Sequence, residues 1–313
     1  MRVVRGIDHE PSPFGPNVVT FGNYDGVHRG HQAILARLVE AARHHGAQPL
    51  VALFDPHPVQ VLRPDKDFHR ITTLETRLGL LADHGVESAL VIPFDERLWS
   101  MEAEDFIDGV LGRLLRARHV VLGGDSRFGR GRRGDVGMLS ARGRALGFEV
   151  ELVPAVLLDD ERISSSAVRH AVLEGRVERA AAMLSRPHTL TGPVVRGDGR
   201  GRHIGFPTAN LRPAETLIPK PGVYEARLSV LASDTLPGEP PRVAVVNVGH
   251  RPTFGVRALA IEAHVLDTTL DLYDRRIALS FVSRLRDEQR FDGVDALVAQ
   301  IRRDVEAVRE RAR

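Results

Sequence analysis

The stretch VVTFGNYDGVHRGHQAILARLVEAARHHG, residues 18–46, decides the fold of the first half of the chain. Residues 18–21 (VVTF) are a short apolar run of the kind that forms a buried strand. Glycines follow at 22, 26 and 30, permitting tight turns and a close approach of ligand to backbone. From about Gly30 the apolar residues recur at helical spacing until Gly46. His28 and His31 stand three residues apart at the start of that helix and share one face. A helix N-terminus offers free N–H groups and a partial positive charge. Two imidazoles beside it make a site for a polyphosphate, able to donate hydrogen bonds to the charge that builds as a phosphate bond breaks. Two other readings use the same residues. A surface turn can hold two histidines without using them, and a zinc ion can take paired histidines. For zinc, this spacing shows no obvious third ligand and is not HExxH.

Outward from this unit, further strand candidates are residues 49–54, 89–94, 119–124 and 148–154. Helical spacing covers residues 73–85, 103–116 and 136–146 between them. Repeated strand–helix units imply a parallel sheet covered by helices on both faces, with ligands at the carboxyl ends of its strands. Two short helices are expected near residues 165–174 and 177–184. The period then changes. Residues 223–231, 242–249, 261–267 and 275–285 mostly alternate apolar and polar side chains, which reads as an antiparallel barrel or sandwich of about 100 residues. An amphipathic helix over 294–309 closes the chain. The change of period sets the expected domains at 1–187 and 188–313.

The 313 residues suffice for two domains, and 42% hydrophobic with 27% charged residues is a globular balance. The absence of cysteine excludes a disulfide framework, a thiol nucleophile and any cysteine metal site. With 43 basic and 41 acidic side chains the net charge is only +2, so any basic character is local. Arginines crowd positions 127–144 and 196–202, where they can serve nucleic acid, phosphorylated small molecules or solvation. Aromatics are sparse in both stretches, which gives base stacking little support, and no nucleic-acid partner is expected. The first residues carry charges and prolines unlike a signal peptide, and no apolar run approaches the roughly 18 residues of a membrane span. The expectation is a cytoplasmic protein with no membrane partner.

A second motif opens the β-rich half: GPVVRGDGRGRHIGFPTANL, residues 192–211. Its closely spaced glycines let backbone N–H groups curl around phosphates. Thr208 and Asn210 offer two neutral oxygens on one side of an extended segment. Hard oxygens suit Mg²⁺, which keeps several waters and shares the nucleotide phosphates. A plain glycine-rich hairpin is the competing reading.

These motifs carry a resemblance. HxGH after the first strand, with ISSSAVR at 163–169, resembles the nucleotidylyltransferase superfamily, whose members attach a nucleoside monophosphate and release pyrophosphate. FDPHP (54–58) and GGDSRFGRGRRG (123–134) resemble the FMN adenylyltransferase module of bacterial bifunctional flavin synthetases. Two positions depart from its usual pattern: Tyr24 stands where phenylalanine is common, and Ser126 where an aromatic is. GFPTANL (205–211) is characteristic of riboflavin kinase, and the likeness runs on through PGVYEA, NVGHRPTFG, IEAHVLD and the final QIRRD. The resemblance therefore implies the bacterial bifunctional riboflavin kinase/FMN adenylyltransferase family. It implies α/β plus all-β architecture: a Rossmann-like nucleotidylyltransferase domain, then a six-stranded flavokinase barrel with a terminal helix.

For the first site it implies catalytic His28 and His31. It places ATP phosphates at Gly22, Asp25, Gly26, Ser164, Ser165 and Arg169. Flavin falls near Asn23, Pro56, His57, Pro58, Asp125, Arg127 and Phe128. For the second site it implies nucleotide contacts at Gly197, Gly199, Gly201, Arg202, Gly205, Pro207, Thr208 and Asn210. Thr208 and Asn210 would hold Mg²⁺ with ATP, and Glu262 would be the general base, with Asp267 and Asp271 as competitors. The implied substrates and products are riboflavin, FMN, FAD and ATP. A second copy of the chain is a further partner left open. The rivals are a working kinase beside a degenerate first domain, a flavin- or nucleic-acid-binding regulator, and a nucleotidylyltransferase with another cofactor precursor.

Overall fold

The computed structural model describes residues 1–9, 12–197, 199–231, 240–250, 259–268 and 270–312. Its contacts group into two compact bodies, Met1–Ser165 and Ser166–Arg313.

The first body is built on a six-stranded parallel sheet. Its strands are β1 (Arg2–Arg5), β2 (Asn17–Gly22), β3 (Gln48–Asp55), β4 (Ser88–Pro93), β5 (Ala117–Gly123) and β6 (Glu149–Val153), in the order β1-β4-β3-β2-β5-β6. Neighbouring residues of one strand face opposite sides, so a strand covered on both sides carries apolar residues toward both. β2 shows this directly. Val18 packs beneath α1 (Arg29–His44) and α2 (Leu74–Asp83), among Leu35, Leu38 and Leu81. Val19 and Phe21 pack on the other side with Phe106, Val110 and Leu139, the last from α3 (Val136–Leu146). Polar caps set the helix starts: Thr73 accepts from the Thr76 N–H at 3.1 Å, and Asp135 from the Met138 N–H at 2.9 Å.

Two features depart from the sequence expectation. The expected helix over 103–116 is a short α-turn (Ala103–Asp105) running into a π-helical segment (Phe106–Leu114). β1, with three of its four residues exposed, is an unforeseen edge strand paired with β4. Its RVVR pattern is too short and too wet to read as a strand.

The second body begins within α4 (Ser165–Leu173), continues through α5 (Val177–Leu184) and forms a closed six-stranded barrel. The barrel strands are β7 (His188–Val195), β8 (Ala209–Leu211), β9 (Gly222–Val230), β10 (Arg242–His250), β11 (Leu259–Val265) and β12 (Arg276–Arg286), paired as β8-β11-β10-β9-β12-β7. β7 and β8 also pair, which closes the ring and leaves no edge. Alternate residues fill the interior: Tyr224, Ala226 and Leu228; Ala244, Val246 and Val248; Ile261, Ala263 and Val265; Ile277, Leu279 and Phe281. The intervening residues face out. On that side Val223 and Val245 pack with Val305 and Val308 of α6 (Val294–Ala312), so one stretch of the outer wall is covered rather than wet. Among the described residues no helix is long and apolar enough to cross a membrane.

Candidate active sites

Sheet order reverses between β2 and β5, and a cavity of about 760 Å³ opens at their carboxyl ends. Such a reversal splays the two following loops apart and leaves a crevice for a ligand. Gly22, Asn23 and Tyr24 line it from the end of β2, His28, Gly30 and His31 from the start of α1, and Asp125 and Ser126 from the end of β5; Ser164 and Ser165 complete the wall.

His28 is the N-cap of α1, its Nδ1 accepting from the His31 N–H at 3.3 Å. The neutral ring therefore carries its proton on Nε2. The two imidazoles stack with centroids 3.7 Å apart and a 17° tilt. Gly30 permits this, since a Cβ there would lie 3.1 Å from the His28 ring. Burial, then the charges of His28 and Arg77, hold the His31 pKa well below its ordinary value, so the ring is neutral near pH 7. Its Nδ1 is buried with no hydrogen-bond partner. A buried polar atom left over at a cavity wall is what a polar ligand satisfies on binding. Tyr24 backs the pair, its ring 4.7 Å from His31 and its hydroxyl 2.7 Å from Thr20 Oγ1.

The turn carrying these residues is braced from behind. The buried Asp25 carboxylate accepts from the Ile71 and Thr72 N–H groups at 3.1 Å, and Thr72 Oγ1 accepts from the Gly26 N–H at 3.0 Å. Ser165 Oγ donates to the Asp25 carbonyl at 2.8 Å. Arg77, fully buried on α2, donates to the Asn23 carbonyl at 2.7 Å and lies 3.5 Å from Asp55. Arg162 and Asp125 form a 2.6 Å ion pair in the cavity wall, which lowers the Asp125 pKa.

The second site lies on the outside of the barrel. Asn210 on β8, Glu262 on β11 and Asn247 on β10 are register partners in one row. Each alternates with interior residues and so faces out. With Gly199, Gly201 and Thr208 they line a cavity of about 590 Å³, which Leu297, Ile301 and Asp304 of α6 also wall. A second cavity of about 350 Å³ is lined by Arg202, Pro207, Ala263, Leu270 and Tyr273, and Thr208 belongs to both. Gly197 lets the glycine loop close on Asn210: a Cβ there would meet its carboxamide at 2.4 Å. Arg286 donates to the buried Asp304 through Nε at 3.0 Å and Nη2 at 2.7 Å, fastening α6 to the end of β12.

A family model described as FAD synthetase matches residues 11–167, and one described as riboflavin kinase matches residues 184–312. The bifunctional riboflavin kinase/FMN adenylyltransferase of Escherichia coli K12 is 39% identical over 311 residues, spanning 99% of this chain and 97% of that one. Its namesake from Pseudomonas fluorescens is 38% identical over 310 residues, again 99% and 97%. The chain belongs to the bifunctional riboflavin kinase/FMN adenylyltransferase family. A crystal structure of a macrolide-efflux protein from Streptococcus pneumoniae shares the fold, with a TM-score of 0.89, 29% identity and 99% of each chain covered.

Within this flavin-synthetase frame, the residues expected from sequence divide into three groups. Gly22, Asn23, His28, His31, Asp125, Ser164 and Ser165 come together around the first cavity. Asp25 and Gly26 brace the turn: the Asp25 carboxylate accepts from the N–H groups of residues 71–72, and the Gly26 N–H donates to Thr72 Oγ1. Arg127, Phe128 and residues 56–58 are not in its wall. Phe128 packs edge-on against Phe21 at 5.5 Å in the core, and His57 caps the short helix Pro58–Leu62. Arg169 lies on α4, in the second body.

In the barrel, Gly199, Gly201, Arg202, Pro207, Thr208, Asn210 and Glu262 line one cavity or the other. Gly197 supports Asn210 instead, and Gly205 takes a positive φ of 88° at the loop's exit. Asp267 and Asp271 are in neither wall. Residues 251–255 of NVGHRPTFG lie outside the described residues. Sequence reasoning missed Arg77, Arg162, Asn247 and the Arg286–Asp304 pair. Only Arg77 left a trace, as a cation within an apolar helical pattern.

Proposed function

We propose that the barrel body phosphorylates riboflavin with ATP to give FMN and ADP, and that the sheet body joins FMN to the AMP moiety of ATP, releasing pyrophosphate. The observation carrying this reading is Thr208, a common wall of two adjoining cavities: a phosphoryl donor and its acceptor need neighbouring pockets meeting at one polar point. The functional boundary is placed at 187/188, where the alternating barrel pattern begins.

In the kinase site Thr208 and Asn210 supply two neutral oxygens beside a glycine loop. This donor set fits a magnesium ion that draws its remaining ligands from water and nucleotide phosphates. When bound, that ion neutralises phosphate charge. The backbone N–H groups of the loop cradle the phosphates. The Glu262 carboxylate takes the proton from the ribityl 5′-hydroxyl as its oxygen forms a bond to the γ-phosphorus and the bond to ADP breaks.

In the adenylyltransferase site the FMN phosphate attacks the α-phosphorus of ATP. His28 and neutral His31 donate hydrogen bonds to the α-phosphate and the departing pyrophosphate, with the α1 N-terminus adding its partial charge. Ser164 and Ser165 offer further donors. Asn23 and Asp125 border the flavin, with Ser126 leaving that wall open where relatives of this type often carry an aromatic. The enzyme works where riboflavin and ATP meet, in the cytoplasm.

The test is incubation with riboflavin, ATP and Mg²⁺, then chromatography for FMN and FAD, with His31→Ala and Glu262→Gln as controls. The reading expects FAD from wild type, FMN alone from H31A, and FAD from E262Q only when FMN is supplied. FMN alone from wild type would leave a kinase with an inert first domain.

A further inference from the structure

The turn that delivers His28 and His31 to the first cavity is strained. Tyr24 and Val27 hold φ angles of 50° and 40°, on either side of Gly26 at 82°. Glycine takes this left-handed conformation freely; an aromatic and above all a β-branched residue do not. Such backbone persists only where its surroundings over-determine it, and it gathers at sites whose geometry serves a function. The function lies next door. Tyr24 packs its ring 4.7 Å from that of His31, and Val27 leads directly into His28, the cap of α1.

Most of what holds the turn comes from residues 71–77, which lead into α2. The Ile71 and Thr72 N–H groups donate to the Asp25 carboxylate, Thr72 Oγ1 accepts from the Gly26 N–H, and Arg77 Nη1 donates to the Asn23 carbonyl at 2.7 Å. The last tie is the unusual one. The Arg77 side chain is fully buried, yet its Nε and Nη2 make no hydrogen bond. Asp55, at the end of β3, stands 3.5 Å from Nη2, and its carboxylate accepts from Arg70 Nη1 at 3.0 Å. A buried guanidinium with one of its three nitrogens bonded is a poor way to stabilise a fold, because desolvating the charge offsets the bond it makes. It is a good way to fix one carbonyl, since a charged donor gives a short, strong bond.

We propose that Arg77 is a positioning residue for FMN adenylylation: by gripping the Asn23 carbonyl it locks the strained turn, and with it the two imidazoles, in the geometry that meets the phosphates of ATP. This rests on His28 and His31 acting as set out above. Arg77 is not in the cavity wall, so its effect reaches the substrates through the turn. Misplacing such groups by about 1 Å costs on the order of 100-fold in rate.

The experiment compares Arg77→Met and Arg77→Lys with wild type in the full chain. Methionine fills much of the same space without a donor, and lysine restores a charged donor for the one carbonyl. The measurements are kcat and KM for FMN and ATP in FAD formation, FMN formation from riboflavin as internal reference, the thermal midpoint, and amide hydrogen exchange across residues 22–31. R77M is expected to lose about 10- to 100-fold in adenylylation kcat, with both KM values within about threefold of wild type and the kinase within about twofold. Its exchange across residues 22–31 is expected to be faster. R77K is expected to recover kcat to within about threefold of wild type and to restore the slow exchange. Retained kcat in R77M, a change confined to KM, lost kcat with unchanged exchange, failure of lysine to restore activity, or loss of both activities together with a lowered midpoint would each overturn the proposal. If His31→Ala itself keeps full FAD formation, the catalytic reading of the histidines fails first, and that control shows it separately.

Discussion

Gly201→Ala tests whether the kinase loop is rigid. Gly201 lines the larger barrel cavity, and its φ is not in the left-handed region, so alanine is allowed by conformation and opposed only by space. A Cβ there would lie 2.3 Å from the Phe206 carbonyl oxygen and 3.3 Å from Thr208 Oγ1. Real contacts of this kind start near 3.0 Å, so the backbone must yield by about 0.7 Å. It cannot yield at Gly201 alone, because the Gly201 carbonyl accepts from the Phe206 N–H at 2.8 Å and ties both sides of the loop. The displacement passes two residues on, to Thr208. A shift of this size at a phosphate-positioning group costs on the order of 10- to 100-fold in rate, or about 1.4–2.7 kcal/mol of transition-state stabilisation. The assay is FMN formation from riboflavin and MgATP, with FAD formation from supplied FMN as internal reference. The kinase kcat/KM should fall by that factor and the reference should stay. Kinase activity within twofold of wild type would refute the rigid-loop argument. Equal loss of both activities would show a general defect instead.

Three further outcomes are expected. His31 binds its proton less readily folded than unfolded, so between its depressed folded pKa and the ordinary value near 6.5 the unfolded chain holds more protons. Stability of the first body is therefore undiminished above pH 6.5 and falls as pH drops below it, by at most about 1.4 kcal/mol per pH unit from this group; denaturant melts at pH 7 and pH 5 should show a smaller drop for His31→Gln. Asp304→Ala strips a buried partner from Arg286, whose side chain is only 17% exposed, and should cost about 2–4 kcal/mol, read as a lowered thermal midpoint of the barrel. Tyr24→Phe leaves the fully buried Thr20 hydroxyl without its 2.7 Å partner and should cost about 1–3 kcal/mol in a urea melt of the first body.

How far the sequence reached can be judged from particular residues. Continuous apolar strands and strict alternation are local patterns, set by which faces of a strand must avoid water. They announced the parallel sheet and the β-rich half, and Val136–Leu146 was legible to the residue. Glycines and two histidines three residues apart marked the turn at residues 22–31, because glycine permits the tight backbone a turn needs. The alternation of residues 261–265 also put Glu262 on the outer face.

What local pattern could not say is what covers that face. An outward glutamate on a strand is solvent-facing unless something distant lies over it. Here α6 and the loop at 199–208 do, and they turn a wet surface into a cavity. Asn247 became a neighbour of Glu262 only through register between strands. The packing of Phe128 beside Phe21 and Phe106 is set by the tertiary fold, not by local pattern. The contact of the Asp25 carboxylate with residues 71–72 is likewise set by the tertiary fold. The sequence by itself determined the element types, their order and the two motif centres, because hydrophobic period and backbone constraint act over a few residues. The tertiary structure decided which side chains share a cavity, because burial and register are set by residues far apart in the chain.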